Sequence, residues 1–296
     1  MSTPILCIGS VLWDIIGTHE ESQKIGFDKG GHISILPGGV AMNIAMALRR
    51  FDQPVALLTY LGQDAQGDSL IADATARGMD CAHILRGAHP TDRYMAIEAG
   101  GNLFAAIADA HSLEKNEADV IAPLLDGRLG SADQPWVGMI VLDGNLTEHT
   151  LEFIAENPAF RAADIRLAPA SPGKALRLRP FLGAANGTAY VNLEEAGTLL
   201  GAPAPDAQRA AKALVQKGMK CAVVTDGGNP CAFATVDAMI NATPPSVMVK
   251  RVTGAGDSFM AAHISAEMTG ADAAQALQHA CAYAAEYISS EGQPNV

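Results

Sequence analysis

An α/β fold, with a mostly parallel sheet covered by helices on both faces, is what the 296-residue sequence predicts, on three observations. Short apolar runs alternate with longer amphipathic stretches along most of the chain. No internal repeat or low-complexity linker interrupts them. The content, 49% hydrophobic and 18% charged, is that of an ordinary globular protein, and the length suits one large domain, taken here as residues 1–296.

The elements follow in order. Residues 4–9 read as a buried strand. Residues 39–50 read as a helix burying Ile44, Ala47, Leu48 and Phe51. A strand over 55–60 and a helix over 67–77 follow, the helix stopping at Gly78. Then come a strand over 137–142 and a helix over 147–156, with Thr147 as its N-cap. Strands at 165–168, 189–191 and 221–225 alternate with helices at 194–200 and 206–217. The chain closes with helices over 255–268 and 272–289. Two segments, about 11–36 and 91–108, instead carry short alternating runs and Gly-rich turns such as Ala99-Gly100-Gly101-Asn102. They predict a small second sheet, a lid over the strand ends where ligands of α/β folds bind. An irregular surface hairpin is the other reading of the same pattern.

Composition narrows the function. A formal net charge of −12 argues against long nucleic acids, whose phosphates must be met by Lys and Arg, but not against a single nucleotide. The five cysteines are widely spaced with no CxxC pair, and read as reduced structural thiols rather than zinc ligands. The histidines form no HxH or HExxH arrangement. No apolar run is long enough to span a bilayer and no basic-then-apolar leader is evident, so a cytoplasmic location and no membrane partner are expected.

The most informative stretch is Val252-Thr253-Gly254-Ala255-Gly256-Asp257 before an apolar helix. A Gly-rich turn opening a helix aims free N–H groups at one point, where the helix dipole also favours negative charge. An acid placed there repels phosphate, but it suits an incoming hydroxyl whose proton it can accept. A plain N-cap aspartate is the competing reading. Gly38 and Gly39 open a second helix, and Asn43 on its first turn can donate to and accept from sugar hydroxyls; a chance Asn at a helix start is the alternative. Asp14, after the first strand, is either a ligand for hydroxyls or a solvated turn residue. Tyr94 and Met95, in the second lid segment, could stack on a base or pack within the lid.

Taken in this order, these segments resemble the ribokinase-like (PfkB) family of carbohydrate and nucleoside kinases. The N-terminal Gly-Gly motif is Gly38, Gly39 and Asn43, and the C-terminal Gly-Ala-Gly-Asp motif is Gly254 to Asp257. Asn192 and Glu195 match an Asn-x-x-Glu motif, and Thr225 and Gly227 a strand-turn beside the nucleotide phosphates. The resemblance implies a three-layer α/β/α sandwich with a small β-sheet lid, Mg²⁺ with ATP, and a homodimer formed through the lid. It implies Asp257 as base, Gly254, Ala255 and Gly256 as anion hole, and Asp14, Gly39 and Asn43 as acceptor ligands. Asn192 and Glu195 would act on Mg²⁺ through water. No GxxxxGK[ST] is present, as expected of this family.

Within the family, Gly-Gly-Val-Ala-x-Asn, residues 106–109, Val-Thr before Gly254, and Asp143-Gly144-Asn145-Leu146 resemble the branch acting on pseudouridine, which adds Asn145 to the acceptor candidates. The expected reaction is ATP-dependent phosphorylation of pseudouridine to pseudouridine 5′-phosphate. The alternatives are a sugar kinase for ribose, fructose or a keto-deoxy sugar acid, and a non-catalytic nucleoside-binding protein. The chain departs from the pattern at Met42, where that branch commonly has Arg, at Tyr190-Val191, where Pro is frequent before the Asn, and at Arg251, where many relatives carry an Asp that ligates a monovalent cation. The last departure leaves K⁺ an open question.

Overall fold

The computed structural model describes residues 3–290 apart from positions 23, 25, 101 and 185. Gly101 of the turn named above therefore lies outside the described residues. In chain order the elements are β1 (Ile5–Ile8), β2 (Leu12–His19), β3 (His32–Gly38), α1 (Val40–Arg50), β4 (Val55–Leu58), β5 (Tyr60–Gly62), α2 (Ala65–Ala76), β6 (Leu85–Gly87), β7 (Arg93–Ala99), β8 (Asn102–Asp109) and α3 (Ser112–Ile121). They continue with β9 (Met139–Asp143), α4 (Glu148–Glu156), β10 (Asp164–Ala168), β11 (Gly187–Asn192), α5 (Leu193–Leu200), α6 (Ala207–Gln216), β12 (Cys221–Asp226), β13 (Asn229–Ala234), β14 (Met239–Ala242), α7 (Ala255–Met268) and α8 (Ala273–Ser289).

The main sheet has eight strands in the order β14-β13-β12-β11-β10-β9-β1-β4. From β4 to β12 every pairing is parallel, and β13 and β14 add an antiparallel edge. Both faces of the parallel strands are apolar, because each must be covered by crossover helices. Leu6 and Ile8 join the core layer that contains residues of α3 to α6, while Ile5 and Cys7 join the layer of α1, α2, α7 and α8. The α/β/α sandwich expected from the sequence is the fold observed.

The two segments that break the β-α pattern supply a separate four-stranded sheet, β3-β2-β7-β8. Side chains alternate faces along its strands. Asp14 pairs with Tyr94, while the next row, Ile35, Ile15, Met95 and Ile107, faces the opposite side. That opposite side is open: Ile35 is 60% exposed and Ile107 70%. Met95 belongs to it, so of the two stacking candidates only Tyr94 shares a face with Asp14.

Most boundaries fall within a residue or two of the expected ones. Thr147 caps α4 by accepting from the Thr150 N–H, as expected. Phe51 differs: α1 ends at Arg50, and Phe51 lies at its C-cap, only partly buried against Tyr283 and His279.

Candidate active site

The chain runs from β1 outward to β4 and then returns to the other side of β1 with β9, so the strand order reverses between β1 and β9. Crevices at such reversals, beyond the carboxyl ends of the strands, are where ligands of open α/β sheets bind. Asp143, the last residue of β9, is fully buried there. Its Oδ2 accepts from the Ser10 N–H (2.8 Å), the Ser10 hydroxyl (3.0 Å) and the Ala41 N–H (3.0 Å), and its Oδ1 from the Asn145 N–H (2.7 Å). One carboxylate thus fastens the ends of β1 and β9 to the start of α1. Gly9 makes room for it, since a Cβ there would lie 2.4 Å from the carboxyl carbon. Sequence patterning assigns Asp143 no role. The available cue was an acid ending a buried strand before Gly-Asn.

The start of α1 is set by Gly39, whose φ of +92° is readily adopted only by glycine and whose Cβ would meet the Ser10 carbonyl at 2.4 Å. One turn on, Asn43 Nδ2 donates to Asp257 Oδ2 over 3.0 Å. This bond joins the two Gly-rich motifs across 214 residues of sequence.

Asp257 lies in the first turn of α7, whose N-cap Gly254 is left-handed (φ +79°). A Cβ on Gly254 would sit 2.6 Å from the Tyr287 hydroxyl, which itself donates to the Thr253 carbonyl. The Ala255 N–H turns back to the Val252 carbonyl (3.1 Å), while among the described residues the N–H groups of Gly256 and Asp257 meet no protein acceptor. Burial pushes the Asp257 carboxyl up to about 7, with Asp143, Glu195 and Asp14 adding to the rise and the Asn43 amide opposing it. A carboxylate tuned near neutrality, at the rim of an anion-binding helix end, is suited to take a proton from a hydroxyl. Deeper in α7, Arg166 of β10 donates to Tyr190 Oη and to Glu267, and Tyr190 Oη contacts His263 Nδ1, so a buried polar cluster fixes the helix on the sheet.

Two clefts meet at residues 252–256. The first, of about 510 Å³, is lined by Asn43, Asn192, Glu195, Thr225, Gly227 and Asp257 among others. The second, of about 460 Å³, is mostly apolar and shares Thr225, Gly227, Val252, Ala255, Gly256 and Phe259 with it. Asn192 and Glu195 form a capping box on α5: the Asn192 side chain accepts from the Glu195 N–H, and Glu195 Oε2 from the Asn192 N–H, each at 2.8 Å. Glu195 lines the first cleft, and burial raises its carboxyl above its usual range.

Asp14 lies over Gly38, where a Cβ would come within 2.0 Å of Oδ2, and burial lifts its carboxyl to about 6. Asn145 is occupied within the protein, donating to Ser10 Oγ (2.7 Å) and accepting from Lys174 Nζ (2.6 Å). Lys174 and Asp143 are thus the parts of this wall that sequence reasoning missed. Arg251 lays its guanidinium 3.9 Å from the Tyr287 ring centre and donates to the Tyr287 carbonyl. Met42 is fully buried in the core behind the Gly-Gly turn.

The family described as pfkB family carbohydrate kinase matches residues 2–295. The pseudouridine kinase of Escherichia coli (strain K12) is 27% identical over 293 residues, covering 97% of this chain and 91% of that protein. Among solved structures, a carbohydrate kinase from Agrobacterium tumefaciens superposes with a TM-score of 0.81 at 25% identity, covering 98% of this chain and 92% of that one. A putative ribokinase II in complex with ATP and Mg²⁺, from E. coli, gives 0.75 at 20% identity over 98% and 94%.

Proposed function

Because the chain belongs to the PfkB family of carbohydrate kinases, and so is a phosphotransferase, we propose that it moves the γ-phosphoryl group of Mg-ATP onto the 5′-hydroxyl of a nucleoside, pseudouridine first among them. The observation that carries this reading is the Asn43–Asp257 bond, which sets a raised-pKa carboxylate beside the N-terminus of α7. In the proposed reaction Asp257 accepts the proton of the hydroxyl, and the alcohol oxygen attacks the γ-phosphorus as ADP leaves. Asn43 keeps the base aimed at the acceptor, and the N–H groups of Gly256 and Asp257 receive the charge of the transferred group, while that of Ala255, expected in the anion hole, is spent on the Val252 carbonyl. Asp14, Gly38 and Gly39 hold the acceptor's other hydroxyls, with Asn145 steadying that wall through Ser10. Thr225 and Gly227 flank the phosphates, and the apolar second cleft takes the base of the nucleotide.

The residues present fit Mg²⁺. Glu195 lines the same cleft as Asp257, and Asp14 and Asp143 also raise Asp257 by charge, so negative charge converges on a site meant for a polyanion. Glu195, with Asn192, would hold the ion through water, and the ion would neutralise charge on the phosphates. A guanidinium at position 251 offers a monovalent cation no carboxylate, so K⁺ is left out of the proposed cofactors.

Identity to the pseudouridine kinase along nearly the whole of both chains supports the acceptor. The carbohydrate kinase of A. tumefaciens supports the second reading, a kinase for ribose, fructose or a keto-deoxy sugar acid. A panel of these acceptors with ATP and Mg²⁺, followed by product mass, separates the two. Pseudouridine is expected to give the highest kcat/KM, and faster turnover of a free sugar would replace the first reading by the second.

We also propose a homodimer through the open face of the β3-β2-β7-β8 sheet, where rows of Ile, Met and Ala pair across strands and a second copy supplies a matching surface. Ile35→Glu is expected to give a monomer by light scattering, and a variant that keeps the wild-type mass would remove this proposal. The cytoplasm is the proposed location: all five cysteines stand as free thiols, and the described residues hold no helix long and apolar enough to cross a membrane.

A further inference from the structure

The wall of the apolar cleft holds a feature that phosphoryl transfer does not use. Cys231 on β13 and Cys281 on α8 bring their Sγ atoms to 3.2 Å across 50 residues of sequence. Each is only 3% exposed, yet both line the cleft of about 460 Å³ beside Ala255, Phe259 and Val252. Of the other cysteines, Cys7 is buried inside the sheet, and Cys81 and Cys221 are half-buried at separate places in the fold. We propose that Cys231 and Cys281 form a modification site, which a hydroperoxide converts into an intramolecular disulfide that weakens nucleotide binding in the adjoining cleft. Only the nucleotide clause rests on the function proposed above.

The two thiols share one hydrogen bond, in which either sulfur can donate. Either can be the nucleophile, and both orders give the same product; in one of them Cys231 acts first. Its sulfur attacks one peroxide oxygen, the O–O bond breaks, and a sulfenic acid forms while water or an alcohol leaves. The Cys281 sulfur then attacks Cys231 Sγ, and hydroxide departs with the Cys281 proton as water. Two electrons pass from the thiols to the peroxide, and two hydrogens leave the protein.

A disulfide of about 2.05 Å draws the sulfurs together by roughly 1 Å. β13 is held between β12 and β14, so α8 takes up most of this shift. α8 also carries Ala284, Ala285 and Ile288 in the cleft wall and Tyr287 against Gly254. A movement of α8 is thus felt both in the apolar cleft and at the anion-binding turn.

The test uses the reduced full-length protein, treated with hydrogen peroxide, alkylated after unfolding, and examined by intact mass and non-reducing peptide mapping. The expected result is loss of two hydrogens and a Cys231–Cys281 linked peptide, reversed by dithiothreitol and absent from Cys231→Ser and Cys281→Ser. Calorimetry with Mg-ATP is expected to show binding about tenfold weaker after oxidation than before. Alkylation of both thiols after peroxide, or oxidation confined to Cys81 or Cys221, would overturn the site. A linked peptide with unchanged affinity would overturn its effect on the cleft. Failure of the reduced protein to bind ATP would remove the nucleotide reading and with it the nucleotide clause, while the mass measurement still decides the disulfide.

Discussion

Two helices begin at glycine turns on the same cleft, and their N-termini are used in opposite ways. At α1 the leading N–H groups are consumed inside the protein: Val40 donates to Ser10 Oγ, Ala41 to Asp143 and Met42 to the Ser10 carbonyl. At α7 the N-cap Gly254 supplies no side-chain acceptor, and among the described residues the Gly256 and Asp257 N–H groups, at the cleft, have no protein partner. The same sequence cue, a Gly turn before an apolar helix, thus builds a fixed floor in one case and the proposed anion receptor in the other. The difference comes from Asp143, a buried carboxylate that already plays the anion at α1.

The largest expected effect tests the open end. Asp257→Asn keeps the shape of the side chain and removes the base, so kcat is expected to fall by about 10²–10⁴-fold. Calorimetric affinities for acceptor and nucleotide should change far less. Turnover close to wild type would end the base assignment, and loss of both affinities with kcat would mean that the residue serves structure instead.

The closed end is probed by Asp143→Ala. It strands the Ser10, Ala41 and Asn145 N–H donors in a buried site, at about 1–3 kcal/mol each, for an expected loss of about 3 kcal/mol or more in urea unfolding. If the variant folds, its KM for the acceptor should rise more than its KM for ATP, because the damage lies at α1. A loss below about 1 kcal/mol would show the network to be incidental.

A matched pair of substitutions sharpens the contrast. Gly39→Ala and Gly254→Ala each force an alanine into a left-handed conformation, costing about 1–2 kcal/mol. The added methyl at 39 meets a backbone carbonyl at 2.4 Å, whereas at 254 it meets the Tyr287 hydroxyl at 2.6 Å. A side-chain tip can yield and a tethered carbonyl cannot. Gly39→Ala is therefore expected to be the more destabilising in thermal melts, and Tyr287→Phe should recover part of the Gly254→Ala loss. Equal losses, with no recovery, would remove the distinction.

How legible these regions were in the sequence follows from the kind of information each needs. Strands buried on both faces, such as Leu6-Cys7-Ile8, announce themselves as continuous apolar runs, and Asp257 and Asn43 stand beside glycines that mark turns. The hairpin of β13 and β14 is not legible locally: Pro230 speaks against an inner strand, and is tolerated next to the register irregularity between Val224 and Asp226. Nor is α3, whose core-facing positions Leu113, Glu117, Val120 and Ile121 include a buried acid that hides the period. Glu117 is satisfied by Thr147 and Thr150, partners about thirty residues away, which no local pattern reveals. Asp143 and the Cys231–Cys281 pair are likewise properties of the assembled fold.

The smallest expected effect concerns protonation at the junction of the two helices. Burial pushes the Asp257 carboxyl up to about 7, and the proposed base acts only when ionised, so kcat/KM should rise with pH through about 7 and level off above it. The Asn43 bond favours the ionised form, so Asn43→Ala should move this limb to higher pH. The linked effect on stability has the opposite sign from that of a salt-bridged carboxylate. Since the folded value lies above the unfolded one of about 3.9, the folded state binds more protons between these values, and Asp257 costs stability as pH rises through that window. Asp257→Asn should therefore raise the melting temperature relative to wild type at pH 8 and lose that advantage by pH 4. A limb that stays in place in Asn43→Ala, or a stabilisation independent of pH, would mean that the carboxylate is not held near neutrality by this junction.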